Sequence, residues 1–68
     1  MKIGDIYVHY KNNEEYMILG FPAFQDNNTG EWIHNAVVLY RNKKNDLFVR
    51  SKIEFEEKFI KKVLLWII

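Results

Sequence analysis

The feature that most constrains this chain is the absence of any cysteine in only 68 residues. A chain this short buries only roughly 60% of the surface its unfolded form exposes, so its core is small. Disulfides and cysteine-ligated zinc are both excluded as staples. Stability must come from packing, and the residues to supply it are present. Hydrophobic residues make up 49% of the chain and aromatic residues 16%. Small domains without staples often gain buried area by self-association, so a homo-oligomer is an expectation from the outset. The length allows one domain, residues 1–68.

Hydrophobic periodicity makes that domain mainly β. Residues 6–10 alternate with the period of a half-buried strand. Asn12-Asn13-Glu14 reads as a turn, because asparagine tolerates left-handed backbone angles. Residues 16–21 form a second strand, closed by Gly20 and Pro22, and residues 23–25 continue after the break. Asp26-Asn27-Asn28-Thr29-Gly30 is a strong hairpin turn. Residues 32–40 are the longest strand candidate, followed by a loop at residues 42–46 and a short strand at 47–50. Ser51-Lys52-Ile53-Glu54 is a capping box that opens a helix of about two turns, with an extended and buried tail after it. Glu54–Lys58 and Glu57–Lys61 stand in the favourable i, i+4 order. Short strands with tight turns and one terminal helix predict a small SH3-like open barrel of four to five antiparallel strands. An antiparallel sheet covered by the C-terminal helix is the alternative.

The catalytic inventory is thin, and no enzymatic activity is expected. Ser51 is the only serine, and its place as a helix cap explains it. Three scattered glycines build no phosphate loop. His9 and His34 have no third ligand nearby in sequence, so neither a metal site nor a cofactor is expected. The net charge of +1 predicts no strong general attraction to nucleic acid. Its distribution is uneven. Residues 1–40 hold two lysines against five acids, a balance of −3, whereas residues 41–68 hold eight Lys or Arg against four acids, a balance of +4. Arg41, Lys43, Lys44, Arg50 and Lys52 would form a basic patch if the fold gathers them; otherwise they are a solvated rim.

Binding features are stronger. On the first strand Tyr7, His9 and Lys11 share one face, and Ile6, Val8 and Tyr10 the other. With the aliphatic side taken as core, the Tyr7/His9/Lys11 side becomes an aromatic and cationic surface. Tyr40, Arg41 and Arg50 extend the candidate set for a ligand carrying both a ring and a negative charge. Trp32, His34, Ala36, Val38 and Tyr40 share a face if residues 32–40 run as one strand, and His34 and Asn35 then need polar partners. Phe48, Phe55, Phe59 and Trp66 are read as core, and Arg50 as a structural partner for Glu54 or Glu31.

Taken in order, Gly4-Asp5-Ile6-Tyr7-x-His9-Tyr10-Lys11, Tyr16-x-Ile18-Leu19-Gly20, Thr29-Gly30-Glu31, Leu39-Tyr40 and Val49-Arg50 with Phe55 following resemble one known family. It is the small bacterial and phage family catalogued as domain of unknown function 1653. The resemblance runs over about residues 4–59. Family members often carry proline where this chain has Ser51, and glycine where it has Asn12; both replacements suit the same local backbone. The resemblance implies no activity. It marks Tyr7, His9, Tyr10, Lys11 and Arg50 as positions of interest, and implies a viral or prophage origin.

Three functions follow as expectations. The first is a non-catalytic binder that sequesters a nucleotide-like anionic small molecule. The second is a protein–protein interaction module, an inhibitor or adaptor, using a sheet edge and the apolar tail at residues 63–68. That tail would also serve a homo-oligomer. Nucleic-acid binding ranks third. The N-terminus enters a strand pattern at once with no signal-peptide core. The six-residue apolar tail is far short of the ~20 residues that span a bilayer. The expected location is therefore the cytoplasm, that of the host if a phage encodes the chain.

Overall fold

Strand order is decided by which hairpins the turns permit. Asn13 (φ 58°) and Asn45 (φ 68°) occupy the left-handed region at the tips of two connections, where asparagine is among the least strained non-glycine residues. Asn12 Oδ1 accepts from the Glu14 amide at 2.8 Å, and Asn42 Oδ1 accepts from the amides of both Lys44 and Asp46 at 2.9 Å. In the computed structural model, which describes residues 1–62, these turns produce an open antiparallel sheet. Its strands are β1 (Ile6–His9), β2 (Glu15–Gly20), β5 (Val37–Arg41), β6 (Leu47–Ser51) and β7 (Phe59–Lys61), in the spatial order β6-β5-β2-β1-β7. Between β2 and β5 the chain runs out into a separate two-stranded hairpin, β3 (Phe24–Gln25) and β4 (Trp32–Ile33). One helix, α1 (Lys52–Lys58), joins β6 to β7. The protein is thus mainly β with a short C-terminal helix.

Ser51 begins the helix as its side chain leads one to expect: Oγ accepts from the Glu54 amide at 3.2 Å. The Glu54 carboxylate is engaged elsewhere, by Arg50 at 3.4 Å, and Lys61 pairs with Asp5 rather than Glu57. Replacing Ser51 by Ala is expected to lower stability by about 1 kcal/mol in urea denaturation, by leaving one helical amide without its acceptor. After Lys58 the chain turns extended and pairs with β1 in the register His9↔Phe59, Val8↔Ile60, Tyr7↔Lys61. Only Phe59 of this strand is buried, so the extended tail is present as far as Lys61 but largely exposed. Residues 63–68, with Trp66 and the proposed tail interface, lie outside the described residues.

The core departs from the expectation in an informative way. It comprises Tyr7, Ile18, Val38, Tyr40, Phe55 and Phe59, four of the six being aromatic. Phe55 lies at its centre, stacked on Phe59 at 4.1 Å and meeting Tyr7 and Tyr40 edge-on at 5.1 and 5.0 Å. The aliphatic face of β1 is therefore not the core face. Tyr7 and His9 point toward the helix, while Ile6 and Val8 lie half-buried on the side of the sheet that α1 does not cover. Rings win this face because the small helix offers Phe55 and the strand after it Phe59, and edge-to-face packing between rings adds roughly 0.5–1.5 kcal/mol beyond the area buried.

Residues 32–40 are likewise not one strand. Asn35 takes a positive φ of 59° and breaks the run into β4 and β5. Trp32, His34 and Tyr40 consequently share no face. His34 and Asn35 are exposed, so they need no internal partner.

Candidate functional site

The β1 strand ends at His9, and the turn that follows brings Tyr10 and Lys11 beside it. The Lys11 amide donates to His9 Nδ1 at 3.1 Å, which leaves Nε2 as the protonated nitrogen of the neutral ring. The imidazole meets Phe59 edge-on at 4.8 Å and stacks against the exposed ring of Tyr10 at 5.4 Å. Arg50 of β6 lies over the same Phe59 ring, its guanidinium 5.7 Å from the centroid. Arg50 Nε donates to the Tyr40 hydroxyl at 3.2 Å, and Nη1 to Glu54. The last helical residue before Phe59 is Lys58, which also acts on His9.

Phe59 is thus flanked by His9 of β1 and Arg50 of β6, and Lys11 and Lys58 are near enough to His9 to act on it. Burial pushes the His9 imidazole below its ordinary value, and Arg50, Lys11 and Lys58 push it the same way. The linkage sign follows. A histidine whose folded pKa is depressed leaves stability unaffected well above its unfolded value near ~6.5, and costs stability as pH falls through it. Acidification therefore charges His9 against three cations, and an anion placed among them relieves that repulsion. The Tyr40 hydrogen bond, with Glu54 beside it, raises the Arg50 guanidinium further, so this cation is permanent. Glu54, the acid beside Arg50, is already engaged by it. An open hollow of about 570 Å³ lies beside Arg50, lined among others by Tyr40, Phe48 and Glu54.

Of the six residues singled out in the sequence, His9 and Arg50 meet on Phe59, and Lys11 follows His9 in the turn, its amide on the imidazole. Tyr7 and Tyr40 do not belong to an exposed surface: both are buried, at 8% and 3% exposure, and cannot stack a ligand. Tyr40 contributes only its hydroxyl, as the anchor of Arg50. Arg41 lies across β5 from this cluster, with Nη1 on the Asn42 carbonyl at 3.1 Å and Nη2 toward Met17 Sδ at 3.6 Å. The five basic residues of the proposed patch do not gather: Lys43 pairs with Glu15, Lys52 lies over the Phe21 ring, and Arg50 faces the helix side. Lys58 and Phe59 were not among the candidates. Lys58 reads in sequence as a helix-surface partner for Glu54, and Phe59 as plain core.

A second hollow, of about 440 Å³, opens between the β1–β2 and β5–β6 turns. Its lining mixes Glu14, Glu15 and Asp46 with Lys43 and Lys44 and includes no ring, so it favours neither an anion nor an aromatic group. Among the described residues no group of three or more His, Cys, Asp or Glu is placed to hold a metal ion, and no helix is long and apolar enough to cross a membrane. Comparison with family models, curated proteins and solved structures found no match to this chain.

Proposed function

We propose that this protein is a non-catalytic binding module for a small anionic ligand, with a nucleotide-like molecule as the best fit. The observation that carries the reading is the meeting of His9 and Arg50 on the Phe59 ring, with Lys11 and Lys58 acting on His9. Lys11, Lys58 and Arg50 meet phosphate by charge-assisted hydrogen bonds, and His9 joins them once protonated. The stacked His9–Tyr10 pair and the part-exposed Phe48 offer ring faces for a base. The same architecture favours an SH3-like barrel: consecutive strands lie side by side, and the last strand returns after a short helix to pair with the first. The resemblance to domain of unknown function 1653 marks Tyr7, His9, Tyr10, Lys11 and Arg50, of which all but the buried Tyr7 are available to this reading. A sequestering role in a host cytoplasm, for a phage-encoded chain, needs no catalytic group.

Thermal denaturation against a panel of nucleotides, free nucleosides and inorganic phosphate tests the proposal. A ligand at about 100 times its Kd adds ~2.7 kcal/mol, which for a domain of this size moves the midpoint by roughly 10 °C or more. A rise with nucleotides exceeding that with either fragment supports the reading. No rise with any compound at millimolar concentration removes it.

A further inference from the structure

The two edges of the sheet are built differently. Among the described residues the β7 edge is three residues long and carries Lys61, with Lys62 next to it, and a lysine-bearing edge resists pairing with another chain. The β6 edge is five residues long, has no proline and no bulge, and exposes Leu47 (63%), Phe48 (38%) and Val49 (60%). Among the described residues no strand pairs with its outer side. Its hydrogen-bond phase is set at both ends: the Asn42 amide donates to the Asp46 carbonyl, and the Lys52 amide to the Ala36 carbonyl. Antiparallel alternation then directs the backbones of Phe48 and Arg50 toward β5, and those of Leu47 and Val49 outward.

We infer that this edge is the site at which two copies of the chain pair, β6 against β6 of the second copy, about a two-fold axis through Phe48. Only registers that set outward-facing residues opposite each other satisfy the free amides and carbonyls. The register centred on Phe48 also matches side chains on both faces. Leu47 lies opposite the partner's Val49 twice on the face α1 leaves open, and the two Phe48 rings meet at the axis. Asp46, in the turn just before β6, comes opposite the partner's Arg50 twice. Centring on Val49 instead sets Leu47 against Ser51 and Phe48 against Arg50, losing the apolar match, and exchanges the Asp46–Arg50 pairs for Asp46–Lys52. The exposed apolar residues Leu47, Phe48 and Val49 thus select one register, and a self-complementary edge that keeps an acid opposite a base selects a second copy as its occupant. Strand addition of this length buries less than a standard interface, so the pairing is reversible and weak. It shares Phe48 and Arg50 with the ligand reading but is argued from the free backbone and exposed apolar side chains of the edge, whereas Lys11, Lys58 and His9 belong to the ligand reading alone.

Sedimentation from about 10 to about 500 µM is expected to show a monomer–dimer equilibrium, and Val49→Lys to weaken it at least roughly tenfold by adding a charge to the edge. The side chain of Val49 is outside the core, so this variant keeps the wild-type circular dichroism. The natural chain has no cysteine, which makes single-cysteine variants clean reporters. At the axis, Phe48→Cys brings two Cα atoms to about 4.5 Å, inside disulfide range, whereas Val49→Cys holds them roughly 9 Å apart. Cross-linking at residue 48 and not at 49 is the expected pattern. A monomer at every concentration, a dimer that Val49→Lys leaves intact, or cross-linking at 49 alone overturns the inference. A monomeric Val49→Lys that still binds a nucleotide separates this result from the fate of the ligand site.

Discussion

Phe55→Ala is expected to leave the chain without a cooperative folded state at 25 °C. Phe55 is fully buried and is the one side chain of α1 that is. It touches Tyr7 from β1, Tyr40 from β5 and Phe59 from β7 through ring contacts of 4.1–5.1 Å, so a single side chain ties the helix to three strands. Truncating a buried phenylalanine costs about 3–5 kcal/mol through lost transfer energy and the cavity left behind. A core of this size, without disulfide or metal, supplies roughly the same amount in total. The two nearly cancel, which is why this substitution is expected to abolish folding rather than only weaken it. Ile53→Ala is the matched control: Ile53 lies on the same helix, 75% exposed, and its loss is expected to stay within about 0.5 kcal/mol. Urea denaturation followed by far-ultraviolet circular dichroism distinguishes them. A Phe55→Ala protein with a near-normal midpoint contradicts a core organised around that ring.

The same ring cluster explains which parts of the fold were legible in the sequence and which were not. Local signals that act through a single residue's backbone or side chain read correctly. Ser51 caps the helix, Asn13 and Asn45 turn the chain, and Asp26 accepts from the Asn28 amide at 2.7 Å in the β3–β4 hairpin. Signals that depend on the partner across the core did not. Strand β1 alternates between an aliphatic face and a ring-bearing face, and hydropathy puts the aliphatic one inside. That choice is decided by what lies across the core, and there α1 presents Phe55 and β7 presents Phe59. The reversal moved Tyr7 from the candidate site into the core and gave His9 an environment walled by Phe59. The break at Asn35 had a signal in the sequence, a polar His34-Asn35 pair inside an otherwise β-prone run, but high propensity on both sides masked it. Arg50 and His9 stood out because cations and imidazoles are conspicuous. Lys58 was hidden because its helical spacing from Glu54 already accounted for it, although Glu54 bonds to Arg50 instead.

Reversing the charge of the two exposed-side lysines is expected to have the largest effect on binding. In the double variant Lys11→Glu, Lys58→Glu, neither change enters the core, since Lys11 is exposed and Lys58 half-buried. Both act on His9 in the natural chain, where they hold its imidazole below the ordinary value together with burial and Arg50. Two opposite consequences follow from one substitution pair. Nucleotide affinity falls by roughly tenfold to a hundredfold, because each reversal turns an attraction across several ångströms of partly screened space into a repulsion. The His9 pKa rises, because two neighbours that opposed its protonation now favour it, and this is read from the pH titration of its ring protons. The pairing of readouts matters. A variant that merely unfolds loses binding and returns His9 to the ordinary imidazole range with collapsed signal dispersion, whereas the folded variant retains its dispersion. Loss of affinity with no rise in the His9 titration places the ligand away from Phe59. A rise in the titration with affinity unchanged shows that the cations surround His9 but that no anion is held there.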